Sequence, residues 1–206
     1  MEYSSTSDIA VFCSGMDLDV LRVEYSGVGG GAERLLPVPM RAFESMPLTY
    51  RPVDEKDIQI ICGFPQSEDE LFFLFPKAVF PLSSSQLRNA IVQRSDSTVV
   101  ELGGEVIAFA NFYRWASGGR CSIGNVIVSP AARGRGVGRY LIEQMISLAF
   151  EKHQATEVTV SCFNQNVAGL LLYTQLGFHP YAVEERKDRK GVRVALIHMR
   201  LSSQEM

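Results

Sequence analysis

A chain of 206 residues that is 46% hydrophobic and 21% charged is long enough to bury a substantial core, and its composition is that of a globular protein. Its 20 Lys and Arg against 23 Asp and Glu, a net charge of −3, give no cationic footprint for nucleic acid, and no apolar run reaches the roughly eighteen residues that a membrane-spanning helix needs. The cysteines Cys13, Cys62, Cys121 and Cys162 and the histidines His153, His179 and His198 are scattered, which excludes a disulfide framework and metal-ligand spacing; the cysteines read as reduced thiols.

Residues 1–45 differ from the rest. Gly27-Val28-Gly29-Gly30-Gly31 and the spaced Pro37 and Pro39 are linker-like, and Val20 to Tyr25 has the alternation of one short strand, so this stretch reads as an N-terminal extension ahead of a domain at 46–206. Met46 could itself be a start. Glu2 and Asp8, with no basic cluster before an apolar run, argue against a secretory signal, and a cytoplasmic location is the expectation.

Met46 to Pro52 predicts an edge strand leading into a helix capped at Asp54. Ser67-Glu68-Asp69-Glu70 and Ser83-Ser84-Ser85-Gln86 are capping boxes ahead of apolar helical runs, so the first half is helical. A β-meander follows: Thr98 to Leu102, a Gly103-Gly104 turn, Glu105 to Tyr113, a Ser117-Gly118-Gly119 turn, and Cys121 to Val128. Beyond Pro130 comes a helix whose Leu141, Ile142, Met145, Leu148 and Ala149 form one apolar stripe, then an alternating strand from Glu157 to Cys162. Asn166 caps a second helix reaching Leu176, with Gly177 at its end and Phe178 packing back. Tyr181 to Arg186 and Val192 to Leu201 close the chain as a hairpin. The order of elements predicts an α+β, mixed α/β fold.

The chemistry concentrates at Arg133-Gly134-Arg135-Gly136-Val137-Gly138-Arg139. A glycine turn opening a helix leaves backbone N–H groups unpaired at the positive end of the macrodipole, and a missing Cβ lets an anion approach the backbone. Three arginines can add charge-assisted bonds, so a pyrophosphate fits. A P-loop would need Lys and then Ser or Thr after the second glycine, whereas Gly136 is followed by Val137-Gly138; the spacing GxGxG also misses the dinucleotide fingerprint GxGxxG.

Over roughly Leu48 to Leu201 the chain resembles the GNAT superfamily of N-acetyltransferases. The family signature of Arg or Gln, two residues, Gly, one residue, Gly or Ala, following a strand that ends near a proline, is matched from Val126 through Gly138, and Asn166, Tyr173, Gly177 and Phe178 match the second signature. The resemblance implies a mostly antiparallel twisted sheet flanked by helices, with coenzyme A held at a splayed strand and at the glycine turn. It implies an acetyl-CoA-dependent N-acyltransferase that passes an acetyl group by direct attack to a primary amine, whether a small amine, an amino sugar, a peptide N-terminus or a lysine. Neither nucleic acid nor membrane is an expected partner; a homodimer is allowed for. The alternative is a non-catalytic acyl-CoA-binding or sensing module.

By the same resemblance the backbone of Val126, Ile127 and Val128 meets the pantetheine arm or the thioester carbonyl. Arg133, Gly134, Arg135, Gly136, Val137, Gly138 and Arg139 hold the pyrophosphate, Asn166 contacts the cofactor arm, and Tyr173 is the general acid toward the departing thiolate. Tyr173 also suits a core aromatic, Asn166 a simple helix cap, and Phe72, Phe73, Phe75 and Phe80 a core. The Phe-rich stretch between Gly63 and Leu82 is, by analogy, a wall of the acceptor pocket.

One feature departs from the family. Many members carry an acid on the strand before the turn, where this chain has Gly124-Asn125-Val126. Asn125 can order a water there, and Glu105, Glu184 and His198 are candidate bases on neighbouring strands.

Overall fold

The computed structural model describes residues 46–205. The short strand expected at 20–25, Cys13 and the expected extension lie outside the described residues.

Seven strands form one sheet: β1 (Leu48–Pro52), β2 (Ser95–Leu102), β3 (Glu105–Arg114), β4 (Arg120–Val128), β5 (Glu157–Phe163), β6 (His179–Lys187) and β7 (Arg193–Ser202), ordered β1-β2-β3-β4-β5-β7-β6. Every pair is antiparallel except β4 with β5. The first three helices, α1 (Asp57–Cys62), α2 (Glu68–Leu74) and α3 (Ser84–Val92), precede the meander; α4 (Val137–Ser147) follows β4 and α5 (Val167–Gln175) follows β5. The expected mixed α/β class with a mostly antiparallel sheet is the observed one.

Two apolar clusters occupy the two faces of the sheet. Of the stripe read from the sequence, Leu141, Ile142, Met145 and Ala149 are fully buried on one face with Val100, Phe112 and Val160, and Leu148 packs partly buried against that cluster. Truncating Leu141 to Ala there would cost about 2–5 kcal/mol. On the other face Ile61, Leu71 and Leu87 from α1–α3 pack against Val99, Phe109 and Ile127. The central strand β3 is therefore covered on both sides, which explains its nearly unbroken apolar run.

The capping residues of α2 and α3 are as expected: Ser67 and Ser83 accept from the N–H of Glu70 and Gln86. The cap expected at Asp54 is displaced. Helix α1 begins at Asp57, and Asp57 accepts the Asp54 N–H (2.7 Å) and two bonds from Arg51 (2.6 and 2.9 Å). Charge pairing with an edge-strand arginine outweighs the local cap, because Asp57 is only 1% exposed and a carboxylate that deep needs a cation.

Candidate active site

Strands β4 and β5 pair only at their beginnings, Arg120 with Glu157, Cys121 with Val158 and Ser122 with Thr159. A buried bond between the Ser122 and Thr159 hydroxyls (2.8 Å) marks the last shared rung. Beyond it β4 is bent by a bulge. Its register against β3 jumps from Gly124 opposite Asn111 to Ile127 opposite Phe109, so β4 carries one extra residue, and Asn125 takes a φ of +51°. From there the strands diverge and leave a cleft in the sheet.

The peptide groups lining this cleft can be assigned. Ser129 N–H donates to the Ile107 carbonyl (2.8 Å), and Ile127 sits opposite Phe109. Alternation along the strand then turns the N–H and C=O of Val126 and Val128 away from β3, toward the cleft. Ile127, grouped with them by sequence, faces the other way: its peptide groups serve β3 and its side chain is fully buried.

At the far end of β4 the chain passes through a 3-10 turn at Pro130–Ala132 and enters α4 through Gly136, whose φ of +78° is left-handed. Gly134 shares that geometry at +71°, and no described residue lies within 4 Å of where either Cβ would stand. The first intrahelical bond is Tyr140 N–H to Gly136 C=O (3.0 Å), and among the described residues no side chain caps the helix. The N–H groups of Val137, Gly138 and Arg139 thus open on the positive end of the dipole, an arrangement that suits an anion. Leu172 of α5 lies 3.4 Å from a Cβ built at Gly138, so the mouth of α4 abuts α5.

Arg133 and Arg139 make defined contacts with neighbouring elements. The Arg133 guanidinium reaches the Val128 carbonyl (3.1 Å), the Phe64 carbonyl (3.4 Å) and Glu70, tying α2 to the turn. Arg139 bonds Gln175 (2.9 Å) and lies 3.7 Å from Glu143.

On the β5 side, Asn166 accepts the Gly169 N–H (3.0 Å) as the cap of α5. Tyr173 is 7% exposed, and its ring meets Phe178 edge-on at 5.9 Å. Its hydroxyl makes no hydrogen bond among the described residues, and burial pushes its pKa above the ordinary phenol value. The neighbouring Cys162 thiol is pushed up to about 12 by burial.

The profile of the acetyltransferase (GNAT) family matches residues 64–178, more than half of the chain. This protein belongs to the GNAT family of acetyltransferases. By fold it is similar to the Salmonella typhimurium protein yncA, solved with its cofactor acetyl-CoA, at 22% identity and a TM-score of 0.60 over 76% of this chain and 94% of that one. It is also similar to ribosomal-protein-S18-alanine N-acetyltransferase of Escherichia coli (22% identity, TM-score 0.61, 76% and 94%) and to ribosomal-protein-alanine N-acetyltransferase of Brucella melitensis (20%, 0.62, 75% and 99%). Sequence comparison with curated proteins gives no significant match. Family membership makes the chain an acetyl-CoA-dependent acyltransferase.

This acetyltransferase has a cavity of about 460 Å³ at the cleft, on the β4 side of the bulge. The Phe-rich stretch lines it through Phe72, Phe73 and Phe75, two of which are also buried core, so both sequence readings of these rings apply. Phe72 stacks on Phe163 at 4.6 Å, closing the β5 wall. Asn125 lines the cavity, is 4% exposed, and its Nδ2 has no partner among the described residues.

Sequence reasoning missed Ser161. Its hydroxyl lies 2.9 Å from His198 Nδ1, and His198 Nε2 lies 3.4 Å from Glu184 Oε2. Ser161 and His198 both line the cavity. Three neighbouring strands, β5, β7 and β6, supply them, with Ser161 opposite His198 in register; only the strand order reveals the trio. Glu105, by contrast, starts β3 at the far end of its hairpin.

Among the described residues no group of His, Cys, Asp or Glu could hold a metal ion, and no helix is long and apolar enough to cross a membrane.

Proposed function

We propose that this enzyme passes the acetyl group of acetyl-CoA directly to a primary amine, with Tyr173 protonating the departing thiolate and Ser161, His198 and Glu184 carrying away the amine proton. The observation that supports the reading is that β4 parts from β5 after Ser122 and leads into the mouth of α4, which abuts α5, the helix that carries the mostly buried Tyr173.

The N–H of Val126 or Val128 donates to the pantetheine arm or the thioester carbonyl, as an added strand bonds a sheet edge. Gly134, Gly136, Val137 and Gly138 present backbone N–H groups to the pyrophosphate, Arg135 and Arg139 contribute charge, and Arg133 keeps the turn in place by bonding Val128 and Glu70. Asn166 fixes the start of α5 and meets the cofactor arm.

On the acceptor side the amine gives a proton to Ser161 Oγ while the Ser161 proton moves to His198 Nδ1. The imidazolium that results is stabilised by Glu184 at Nε2. Asn125 Nδ2, buried without a partner, holds a water or the reacting carbonyl at the bulge. As the bond to sulfur breaks, Tyr173 gives its proton to the thiolate. A covalent acetyl-cysteine route is disfavoured: a Cys162 thiol pushed up to about 12 is almost wholly protonated near neutrality and a poor nucleophile.

Incubating the protein with acetyl-CoA and a panel of primary amines, peptide N-termini and amino sugars tests this. Stoichiometric release of coenzyme A with a matching acetamide supports the reading; acetyl-CoA binding with no amine acetylated counts against it.

A further inference from the structure

Where many family members carry an acid, this chain places an arginine. Arg94 follows α3, and its guanidinium lies across β4 beside Gly124. A Cβ built at Gly124 would stand 3.1 Å from Arg94 Nη1 and 2.8 Å from the Tyr113 ring, so the glycine is what makes room for both. Arg94 Nη1 donates to Asn111 Oδ1 (3.0 Å), and the guanidinium lies over the rings of Phe75 (5.4 Å) and Tyr113 (5.8 Å). Asn111 is wholly buried. The group is therefore held on three sides, yet it pairs with no carboxylate among the described residues.

A guanidinium has five N–H donors, and one is used here. Burial without an anion leaves its charge poorly solvated, which pushes its pKa below the ordinary value. A planar carboxylate, which accepts two parallel N–H bonds, matches both the geometry and the missing charge. The other charged side chains on the cavity wall are also cationic, Lys77, Arg186 and Lys187, and Glu184, which faces Arg186, is not on the wall. A simple ammonium would be repelled, whereas a molecule carrying both an amine and a carboxylate enters near neutral. The same positive field favours loss of the ammonium proton and so prepares the nucleophile.

The spacing is that of one small molecule. Gly124 lies two residues from Val126, at most roughly 7 Å even in extended chain, and the cavity of about 460 Å³ is of small-ligand size. We propose that the acceptor is a small primary amine that also carries a carboxylate, and that Arg94 is the specificity-determining group that seats that carboxylate. This rests on the acetyl-transfer reading above.

The test compares matched acceptors: α-, β- and γ-amino carboxylates, their carboxamides, and the amines lacking the carboxyl group, with acetyl-CoA affinity measured separately by titration. The expected result is a kcat/KM for carboxylates higher than for their carboxamides by roughly 10- to 150-fold, the range of a hydrogen bond to a charged group. Arg94→Met should bring that ratio near one, Arg94→Lys should retain part of it, and neither should change acetyl-CoA affinity. Carboxamides turned over as well as carboxylates, a ratio unaltered in Arg94→Met, or acetyl-CoA binding with no amino carboxylate acetylated would each overturn the proposal. Failure of the wild-type chain to bind acetyl-CoA would instead overturn the transfer reading beneath it.

Discussion

Replacing Tyr173 by phenylalanine removes one oxygen and should lower activity while leaving stability nearly unchanged. The hydroxyl sits in a residue that is 7% exposed and has no hydrogen-bond partner among the described residues. Deleting a hydroxyl that bonds no protein group and is not among the buried atoms left without a partner should leave stability within about 0.5 kcal/mol of the wild type, a shift of at most roughly 2 °C in Tm for a domain of this size. If the same oxygen protonates the leaving thiolate, its loss forfeits a bond to a charged group worth about 1.5–3 kcal/mol plus the proton itself, so kcat should fall about 10²-fold. The interaction forms only as sulfur gains charge, so acetyl-CoA affinity should hold. Burial keeps the folded phenol protonated above pH ~10, where the unfolded chain ionises. Tyr173 thus adds no pH dependence to stability below that pH, and stability is lost as the pH climbs beyond it; Tyr173→Phe should remove that alkaline loss. Steady-state kinetics, calorimetric melting and acetyl-CoA titration decide together. Wild-type kcat would refute the acid role, and a fall in kcat accompanied by a Tm several degrees lower would assign Tyr173 to the core instead.

His198→Ala should lower kcat/KM about 10²-fold with acetyl-CoA affinity intact, and added imidazole should restore part of the rate; a purely structural histidine would show no such rescue. Gly136→Ala forces a non-glycine residue to φ +78° with open space around its methyl, which should cost about 1–2 kcal/mol of stability by urea unfolding. It should also weaken acetyl-CoA binding about tenfold because the methyl stands where a diphosphate approaches, and unchanged affinity would place the diphosphate elsewhere. Arg51→Met strands the buried Asp57 carboxylate and should destabilise the fold by about 3–5 kcal/mol. Arg51 holds Asp57 below the ordinary carboxylate range, so its contribution is full above pH ~4 and is lost as the pH falls below that. Asp57→Asn should abolish this acid-side slope in unfolding free energy measured between about pH 2 and 5.

What the sequence made legible was whatever depends on neighbours along the chain. The meander turns, the stripe from Leu141 to Ala149, the caps at Ser67, Ser83 and Asn166, and the glycine turn each follow from local rules, and each lies where local rules put it. The cap at Asp54 failed for a long-range reason: Asp57 is claimed by Arg51 on an edge strand, which itself reaches Glu101. The same division runs through the site. Val126, Val128 and the turn belong to one continuous segment, and motif spacing reached them; Arg133 belongs to it too, but Glu70, some sixty residues earlier, decides where its guanidinium goes.

The acceptor side shows the limit most sharply. Gly124-Asn125-Val126 showed only that the strand lacks an acid, because a single sequence displays what a segment lacks and not what folds against it. Folding brings Arg94 and Tyr113 across that glycine from α3's end and from β3, and aligns Ser161 with His198 through a strand order that inserts β7 between β5 and β6. A Cβ at Gly124 would collide with the Tyr113 ring and crowd Arg94, so any side chain at this position would have to displace that ring. On the reading proposed above, Arg94 sets the charge of that pocket and with it the amines that enter.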